Sequence, residues 1–316
     1  MKKRVVSVID LGSNSARMTI TMINTDGTYS VLENTKTVCR LSEGLTGNNS
    51  ISQIAMDRTL STLRIYSRII DSYRKKISDK ADFKVIALGT AVLRKASNKE
   101  EFLNLVMKET GIKVSVISGI EEAEYSYLGV INTLPVNDAL LIDTGGGSTE
   151  LIMVKGGKLI QAESVPIGAV NLSEMFNDFD KMKSYTKEQL FMVEWLQETA
   201  NFLIVGIGGS IRNMGKIHQA VNGNSTSQIH GYTMKGTDIL SIVELINKTP
   251  MRYRKEIPGI EKKRADIILG GLCPLTVLIE NNISLGKYSN TDPALIISMS
   301  GVREGAFYKE YSTFKE

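Results

Sequence analysis

Cysteine and histidine are scarce in this 316-residue chain, and its net charge is small. Two cysteines, Cys39 and Cys273, lie too far apart in sequence to suggest a disulfide framework or a zinc site, so a reduced, cytoplasmic setting is expected. The two histidines, His218 and His230, stand at no spacing from serine and aspartate that would make a nucleophilic triad, and both read as structural or peripheral. A formal net charge of +4 is far from the dense basic stripe of a nucleic-acid binder, yet compatible with a polyanionic ligand. No apolar run approaches a membrane helix. Met1-Lys-Lys-Arg4 has the basic start of a secretory leader, but the run after it breaks at Ser7 and Asp10. There is no Walker A sequence, and Gly208-Gly209-Ser210 is not a dinucleotide fingerprint, because Ile211 occupies the place of the third glycine. What is present, 42% apolar and 23% charged residues, suits a globular chain of about two domains.

The most informative stretch is Ala139 to Val154, which reads as strand, glycine turn, strand. Leu140–Ile142 and Leu151–Val154 are short apolar runs, and Gly145, Gly146, Gly147 and Ser148 lie between them. Without a Cβ, such a turn is free to adopt positive φ and to bring consecutive N–H groups up to an anion. Asp143 and Glu150 bracket it. Two carboxylates would repel a bare phosphate unless a divalent cation stood between them, and hard oxygen ligands beside phosphate point to Mg²⁺.

The phrase occurs twice. Val5 to Ile20 lines up with it at a constant offset, Asp10 on Asp143, Gly12 on Gly145, Ser15 on Ser148 and Arg17 on Glu150. Asp26-Gly27 and Gly156-Gly157 then read as hairpin turns at corresponding places. The repetition predicts two like domains, each with a phosphate-grasping hairpin at its first turn, facing each other across a cleft. Ser13, Asn14, Ser15 and Arg17 are the phosphate contacts expected of the first copy.

Elsewhere, Met56 to Tyr73 has the spacing of a covering helix. Phe83–Leu88 is a buried strand running into Gly89-Thr90 and Arg94, a candidate phosphate contact at a strand end. Ser118 to Glu124 opens a helix. Its acids are favoured there by the helix dipole alone, but Glu121 stands where the first domain ends, while Glu122 and Glu124 are expected to be solvated. Thr186-x-x-Gln189 has capping-box spacing before a helix ending near Phe202. Gly208, Gly209 and Ser210 follow a buried strand as a third phosphate-type turn. Glu261 to Glu280 reads as one long helix carrying Arg264 and Asp266 early and kinked at Pro274, and Ala294–Ser298 is the last strand.

Taken together, Asp10 to Ser15, Gly89 to Arg94, Ile117 to Ala123, Ile142 to Glu150, Gly208 to Ser210, Arg264 to Asp266 and Gly301 to Gly305 resemble the exopolyphosphatase and guanosine pentaphosphate phosphatase family, in its short two-domain form. The resemblance spans roughly Val5 to Tyr308. It implies an α/β fold of duplicated actin-like, ribonuclease H-like domains. The first would hold residues 1–123 plus about 301–316 and the second 124–300. It implies a phosphoanhydride hydrolase that releases orthophosphate from the end of inorganic polyphosphate, or removes the 5′-phosphate of guanosine pentaphosphate. Glu121 would be the catalytic base, Asp143 and Glu150 the catalytic acids associated with Mg²⁺, and the glycine turns the phosphate contacts. Neither nucleic acid nor membrane is an implied partner, and a homodimer is common in such families. Two departures stand out. Met299-Ser300 replaces a Ser-Asp pair, and Ala16-Arg17 replaces Phe-His, adding a cation. Longer relatives carry a further helical domain, whose absence would weaken the grip on long polymers. The rival readings are an ATP-dependent kinase or ATPase of the same superfamily and a non-catalytic polyphosphate or alarmone sensor.

Overall fold

In the computed structural model, which describes residues 2–77, 81–223, 228–284 and 294–315, the chain divides into two units. One comprises Met1–Gly129 with Val302–Glu316, the other Val130–Gly301.

In the first unit, β1 (Lys3–Leu11), β2 (Ser15–Ile23) and β3 (Tyr29–Val38) form an antiparallel meander. A single turn α1 (Leu45–Asn48) and the long α2 (Gln53–Ile77) then lead to β4 (Ala81–Gly89), which pairs parallel to β1. After α3 (Ala91–Lys95) and α4 (Lys99–Thr110), β5 (Val114–Val116) adds parallel to β4, and α5 (Gly119–Ile131) follows.

The second unit repeats the plan. β6 (Ala139–Thr144), β7 (Thr149–Lys155) and β8 (Lys158–Val165) are the meander, followed by α6 (Ala169–Met175) and α7 (Phe179–Phe191). β9 (Leu203–Ile207) pairs parallel to β6 and leads into α8 (Gly209–Val221). Then come β10 (Thr233–Met234), α9 (Gly236–Lys248), α10 (Met251–Arg254) and α11 (Ile268–Ser284). β11 (Leu295–Ile297) lies parallel to β9, and α12 (Val302–Lys315) returns to the first unit.

The strand orders, β3-β2-β1-β4-β5 and β8-β7-β6-β9-β11 with β10 on the outer edge, are the same topology twice. This is the duplicated actin-like, ribonuclease H-like α/β architecture. Even the irregularities recur, with register shifts at Ile20/Thr21 and at Met153/Val154. In each unit helices bury the apolar alternation of the sheet. Ile9, Leu11, Met18 and Ile20 face Leu60, Leu63 and Tyr66 of α2, while Val6, Val8 and Leu88 on the opposite face meet Ala306, Phe307 and Phe314 of α12. α12 lies close because Gly305 has no side chain, and a Cβ there would stand 1.7 Å from the Tyr125 carbonyl oxygen.

Two expectations about helices need correction. Thr186 and Gln189 lie inside α7, whose N-cap is Asp178, accepting from the Lys181 N–H at 2.9 Å. Thr186 is buried rather than capping, because the N-cap of α7, Asp178, lies eight residues before the one the box spacing suggests. The long helix expected from Glu261 begins only at Ile268, so Arg264 and Asp266 precede it, Arg264 on a short 3₁₀ turn (Lys262–Arg264). The Asn213 side chain takes the Glu261 N–H at 2.6 Å, holding that segment along α8 instead.

Candidate active site

Antiparallel pairing places directly opposed residues on one face of a sheet. Asp143 stands opposite Glu150, and Glu150 opposite Ser164, so the three form one row across β6, β7 and β8. Glu150 is 1% exposed. Its Oε1 accepts from Ser148 Oγ at 2.7 Å and Ser164 Oγ at 2.8 Å. Hydroxyl donors at that distance stabilise the ionised carboxylate, and a buried carboxylate demands such compensation. Asp143 is half-buried beside it. The donor set suits a hydrated Mg²⁺, which takes one or two carboxylates and completes its shell with water and phosphate oxygens. Among the described residues no group of three or more histidine, cysteine or acidic side chains is placed to hold a metal without water or substrate oxygens.

The turn between β6 and β7 is closed by the Gly145 N–H donating to the Ser148 carbonyl at 3.0 Å. The carbonyls of Gly145 and Gly146 accept from the N–H groups of Ala169 and Val170, at 3.0 and 2.8 Å, at the start of α6. In a trans peptide the N–H points opposite to the carbonyl. The amides of Gly146 and Gly147 therefore face away from α6. None of the three turn glycines uses its freedom to adopt positive φ. What glycine supplies here is room. A Cβ on Gly168 would stand 2.6 Å from the Gly146 carbonyl carbon.

The third turn lies against the same strand end. Gly208 has φ 117°, and a Cβ on it would be 2.6 Å from the Thr144 carbonyl oxygen. A Cβ on Gly209 would be 2.3 Å from the Arg264 guanidinium carbon. Ser210 is buried, its hydroxyl turned toward Gly271 of α11. At this turn the anion-attracting groups are thus the first N–H groups of α8 and Arg264, with the serine hydroxyl pointing elsewhere.

The first unit has the same turn. The Gly12 N–H donates to the Ser15 carbonyl at 3.1 Å, and the Asn14 carbonyl accepts from the N–H groups of Cys39 and Arg40 at 3.1 and 2.9 Å. Ser13, Asn14 and Ser15 are all buried. Across the sheet, Asp10 opposes Arg17 and Arg17 opposes Lys36. This row is equivalent to Asp143, Glu150 and Ser164. The first position keeps its acid, and the next two are cationic where the other copy has a carboxylate and a hydroxyl.

Arg94 is anchored. Its Nη1 donates to the Ile117 carbonyl at 3.1 Å and to Glu122 Oε2 at 2.6 Å. Glu122, expected to be solvated, is 7% exposed, because it turns inward to meet that guanidinium. Glu121 is exposed and forms a reciprocal cap with Ser118. The Ser118 N–H donates to Glu121 Oε2 at 2.8 Å, and the Glu121 N–H to Ser118 Oγ at 3.1 Å. Hydrogen bonding to Ser118, through its backbone N–H first and its side chain second, holds the Glu121 carboxyl below its ordinary pKa.

Three residues of interest were not singled out for their chemistry by sequence reasoning. Lys36 is found only by following register from Arg17 through a bulged hairpin. Glu122 looks like any first-turn acid. Arg264 had a signal, the Arg-Ala-Asp phrase, but its approach to Gly209 is tertiary.

A duplicated actin-like chain with a glycine cradle in each copy and a carboxylate row beside one of them defines an enzyme class that works on phosphoryl groups. The chain belongs to the Ppx/GppA phosphatase family, whose pattern matches residues 20–314. It is a phosphoanhydride hydrolase by that membership. It is 26% identical to an exopolyphosphatase from Cytophaga hutchinsonii of known crystal structure, covering 98% of both chains with a TM-score of 0.85. A Ppx/GppA family member from Aquifex aeolicus is 28% identical over 99% of both chains, with a TM-score of 0.76. A bifunctional 3-dehydroquinate synthase/phosphatase from Fusobacterium nucleatum is 28% identical over 86% of this chain, which spans 42% of that longer protein. No helix among the described residues is long and apolar enough to cross a membrane.

Proposed function

We propose that the protein is an exopolyphosphatase that hydrolyses the terminal phosphoanhydride of inorganic polyphosphate and releases orthophosphate. The observation that carries this reading is the pair of equivalent rows, Asp143-Glu150-Ser164 and Asp10-Arg17-Lys36, each beside a glycine turn whose carbonyls are taken up by its own unit. One row suits a hard cation, the other the oxygens of a chain of phosphates. Kinship with the Cytophaga exopolyphosphatase supports the same substrate.

In this reading Glu121 accepts the proton of the attacking water. Its Oε2 is held by the Ser118 N–H, which fixes the carboxylate and keeps it ionised at neutral pH. A carboxylate of lowered pKa is a weak base, but phosphoryl transfer through a loose transition state asks little of its base beyond orientation. Backbone N–H groups of residues 145–148 in one unit, and those of residues 13–15 with Arg17 in the other, supply the phosphate-binding groups. Asp143 and Glu150 would hold Mg²⁺, which when bound supplies neutralisation of charge on the phosphoryl oxygens. Ser148 and Ser164 keep Glu150 aimed.

The test is phosphate release in Mg²⁺ from polyphosphates of several lengths and from guanosine pentaphosphate, comparing wild type with Glu121→Gln. The expected result is release from polyphosphate by wild type and a loss of about 10² or more in the variant with the fold intact. Equal rates in both proteins would reduce Glu121 to a helix cap. Release from guanosine pentaphosphate alone would make the enzyme the 5′-phosphohydrolase of that nucleotide.

A further inference from the structure

The half-buried His230 stands where the outer edge of the second sheet runs out, and its ring extends the ladder there. The Gly231 N–H donates to the Ile297 carbonyl at 2.9 Å and the Ile297 N–H to the Tyr232 carbonyl at 2.8 Å, continuing the β10–β11 pairing toward the end of β11. Gly231, at φ 80°, then bends the chain. The next N–H on that side of β11 belongs to Met299, and the His230 side chain takes it, at Nδ1 and 3.1 Å. On the other side of the ring, Nε2 lies 3.1 Å from the Thr133 carbonyl oxygen. These partners fix the tautomer. A carbonyl only accepts, so the proton sits on Nε2, and a backbone N–H only donates, so Nδ1 presents its lone pair. The ring thus ties together Thr133, just after the chain enters the second unit, and Met299, just before it leaves.

What the tie holds is the loop of residues 298–301. Its root is fixed by the Ser298 N–H donating to the Gly206 carbonyl at 2.8 Å, and the Ser298 hydroxyl accepts from the Ser300 N–H at 3.1 Å and donates to the Ser300 carbonyl at 2.8 Å. Met299 is 46% exposed, so side-chain packing does little to hold its tip. That task falls to the backbone of Met299, whose N–H goes to His230 and whose carbonyl accepts from Arg212 Nη1 at the longer distance of 3.4 Å. The loop ends against the carboxylate row. A Cβ on Gly301 would lie 3.0 Å from Ile207 Cγ2 and 3.5 Å from Asp143 Oδ2.

We propose that His230 is a positioning residue for Asp143: through Nδ1 it holds the 298–301 loop against the Asp143 carboxylate and so limits the directions in which that carboxylate can turn. The inference rests on the cation-holding role given to Asp143 above and names what prepares it. A ligand oxygen already confined before the ion arrives loses less freedom on binding. Groups that orient a metal's ligands contribute about 10–100-fold to its affinity. His230 acts one step further out, through a backbone loop, so the low end, about tenfold, is expected of it. The bond to Thr133 serves the same end indirectly, because a proton kept on Nε2 leaves Nδ1 free to accept.

Two variants isolate the bond to Met299. In His230→Asn the side-chain oxygen takes the place of Nδ1 but nothing reaches Thr133, whereas His230→Leu offers no acceptor at all. Mn²⁺, as a probe for Mg²⁺, is titrated onto wild type and both variants without substrate and followed by electron paramagnetic resonance. Phosphate release from tripolyphosphate is measured against Mg²⁺ concentration, thermal unfolding checks the fold, and nitrogen-15 NMR of wild type reads the imidazole tautomer. Expected is a single Nε2–H tautomer. His230→Leu should need about tenfold more of either metal, with kcat and the KM for tripolyphosphate at saturating Mg²⁺ within about twofold of wild type, and His230→Asn should stay within about threefold on every readout. Wild-type metal affinity in His230→Leu overturns the inference. So does an equal loss in both variants, which would make the ring a structural filler, or an Nδ1–H tautomer. Phosphate release that needs no divalent metal also overturns it while leaving the activity standing. If wild type binds Mn²⁺ but releases no phosphate, the activity reading falls, and the order of the three affinities still decides the role of His230.

Discussion

Replacing Glu122 by glutamine should cost the protein a measurable part of its stability, and the size of the loss decides what Arg94 is for. The pair joins α3 to the first turn of α5 at 2.6 Å, with the Glu122 side chain 9% and the Arg94 side chain 22% exposed. Removing one partner from a fully buried pair costs about 3–5 kcal/mol. The partial exposure of Arg94 lets water solvate the stranded guanidinium, and it keeps its bond to the Ile117 carbonyl, so about 2–3 kcal/mol is expected here. Arg94→Gln should cost a similar amount. The double variant should lose less than the sum, with a coupling of about 1.5–2 kcal/mol. Urea denaturation of the four proteins, followed by circular dichroism, measures this. A coupling below about 0.5 kcal/mol would refute the reasoning. If Arg94→Gln left stability intact and instead raised KM, Arg94 would be a substrate contact.

Three further outcomes follow from the geometry. Glu121 has a folded-state pKa below its unfolded one, so its cap is fully present above the ordinary glutamate range and is lost as pH falls through the lower, folded value. The acid limb of kcat/KM should therefore lie below about pH 4.3 and vanish in Glu121→Gln, whereas a limb between pH 5 and 7 would assign the proton to another group. Gly305→Ala should destabilise by roughly 3 kcal/mol or more, because the new Cβ meets the backbone carbonyl of Tyr125 rather than a side chain that can swing aside. A Tm within 2 °C of wild type would show that α12 shifts at little cost. Lys36→Gln should raise KM for polyphosphate about threefold to tenfold with kcat nearly unchanged, as loss of uniform binding does. A fall in kcat with KM constant would place Lys36 in the transition state instead.

Much of this fold was legible because it is written twice. The constant offset from Asp10 to Asp143 reappears as two meanders of one topology, with the bulge at the same place in each. Asp143 and Glu150 could be paired on paper because the turn between them is short. Other features depend on packing that spacing does not encode. First-turn glutamates look alike until one is buried, and Glu122 is distinguished from Glu121 only by where Arg94 sits. The cradle glycines are free to take positive φ, yet the need for glycine lies in the close approach of Gly168 to the turn. The start of α11 was misplaced because Glu261 to Asp266 has helical composition, and a single bond to Asn213 redirects it. Thr186 was misread for the opposite reason, as a cap spacing that occurs in mid-helix.

The two rows invite a last thought about symmetry. Asp10 and Asp143 are the same acid in two copies, but their neighbours have taken opposite signs, Arg17 and Lys36 against Glu150 and Ser164. A pair of identical halves made from one short gene could never do this, since each change on one half would appear on the other. Joining the copies in a single polypeptide frees them to specialise, in the function proposed above one for gripping anions and one for gripping a cation. By this argument a chain built from two first units or two second units would fold twice over and bind one sign of charge only.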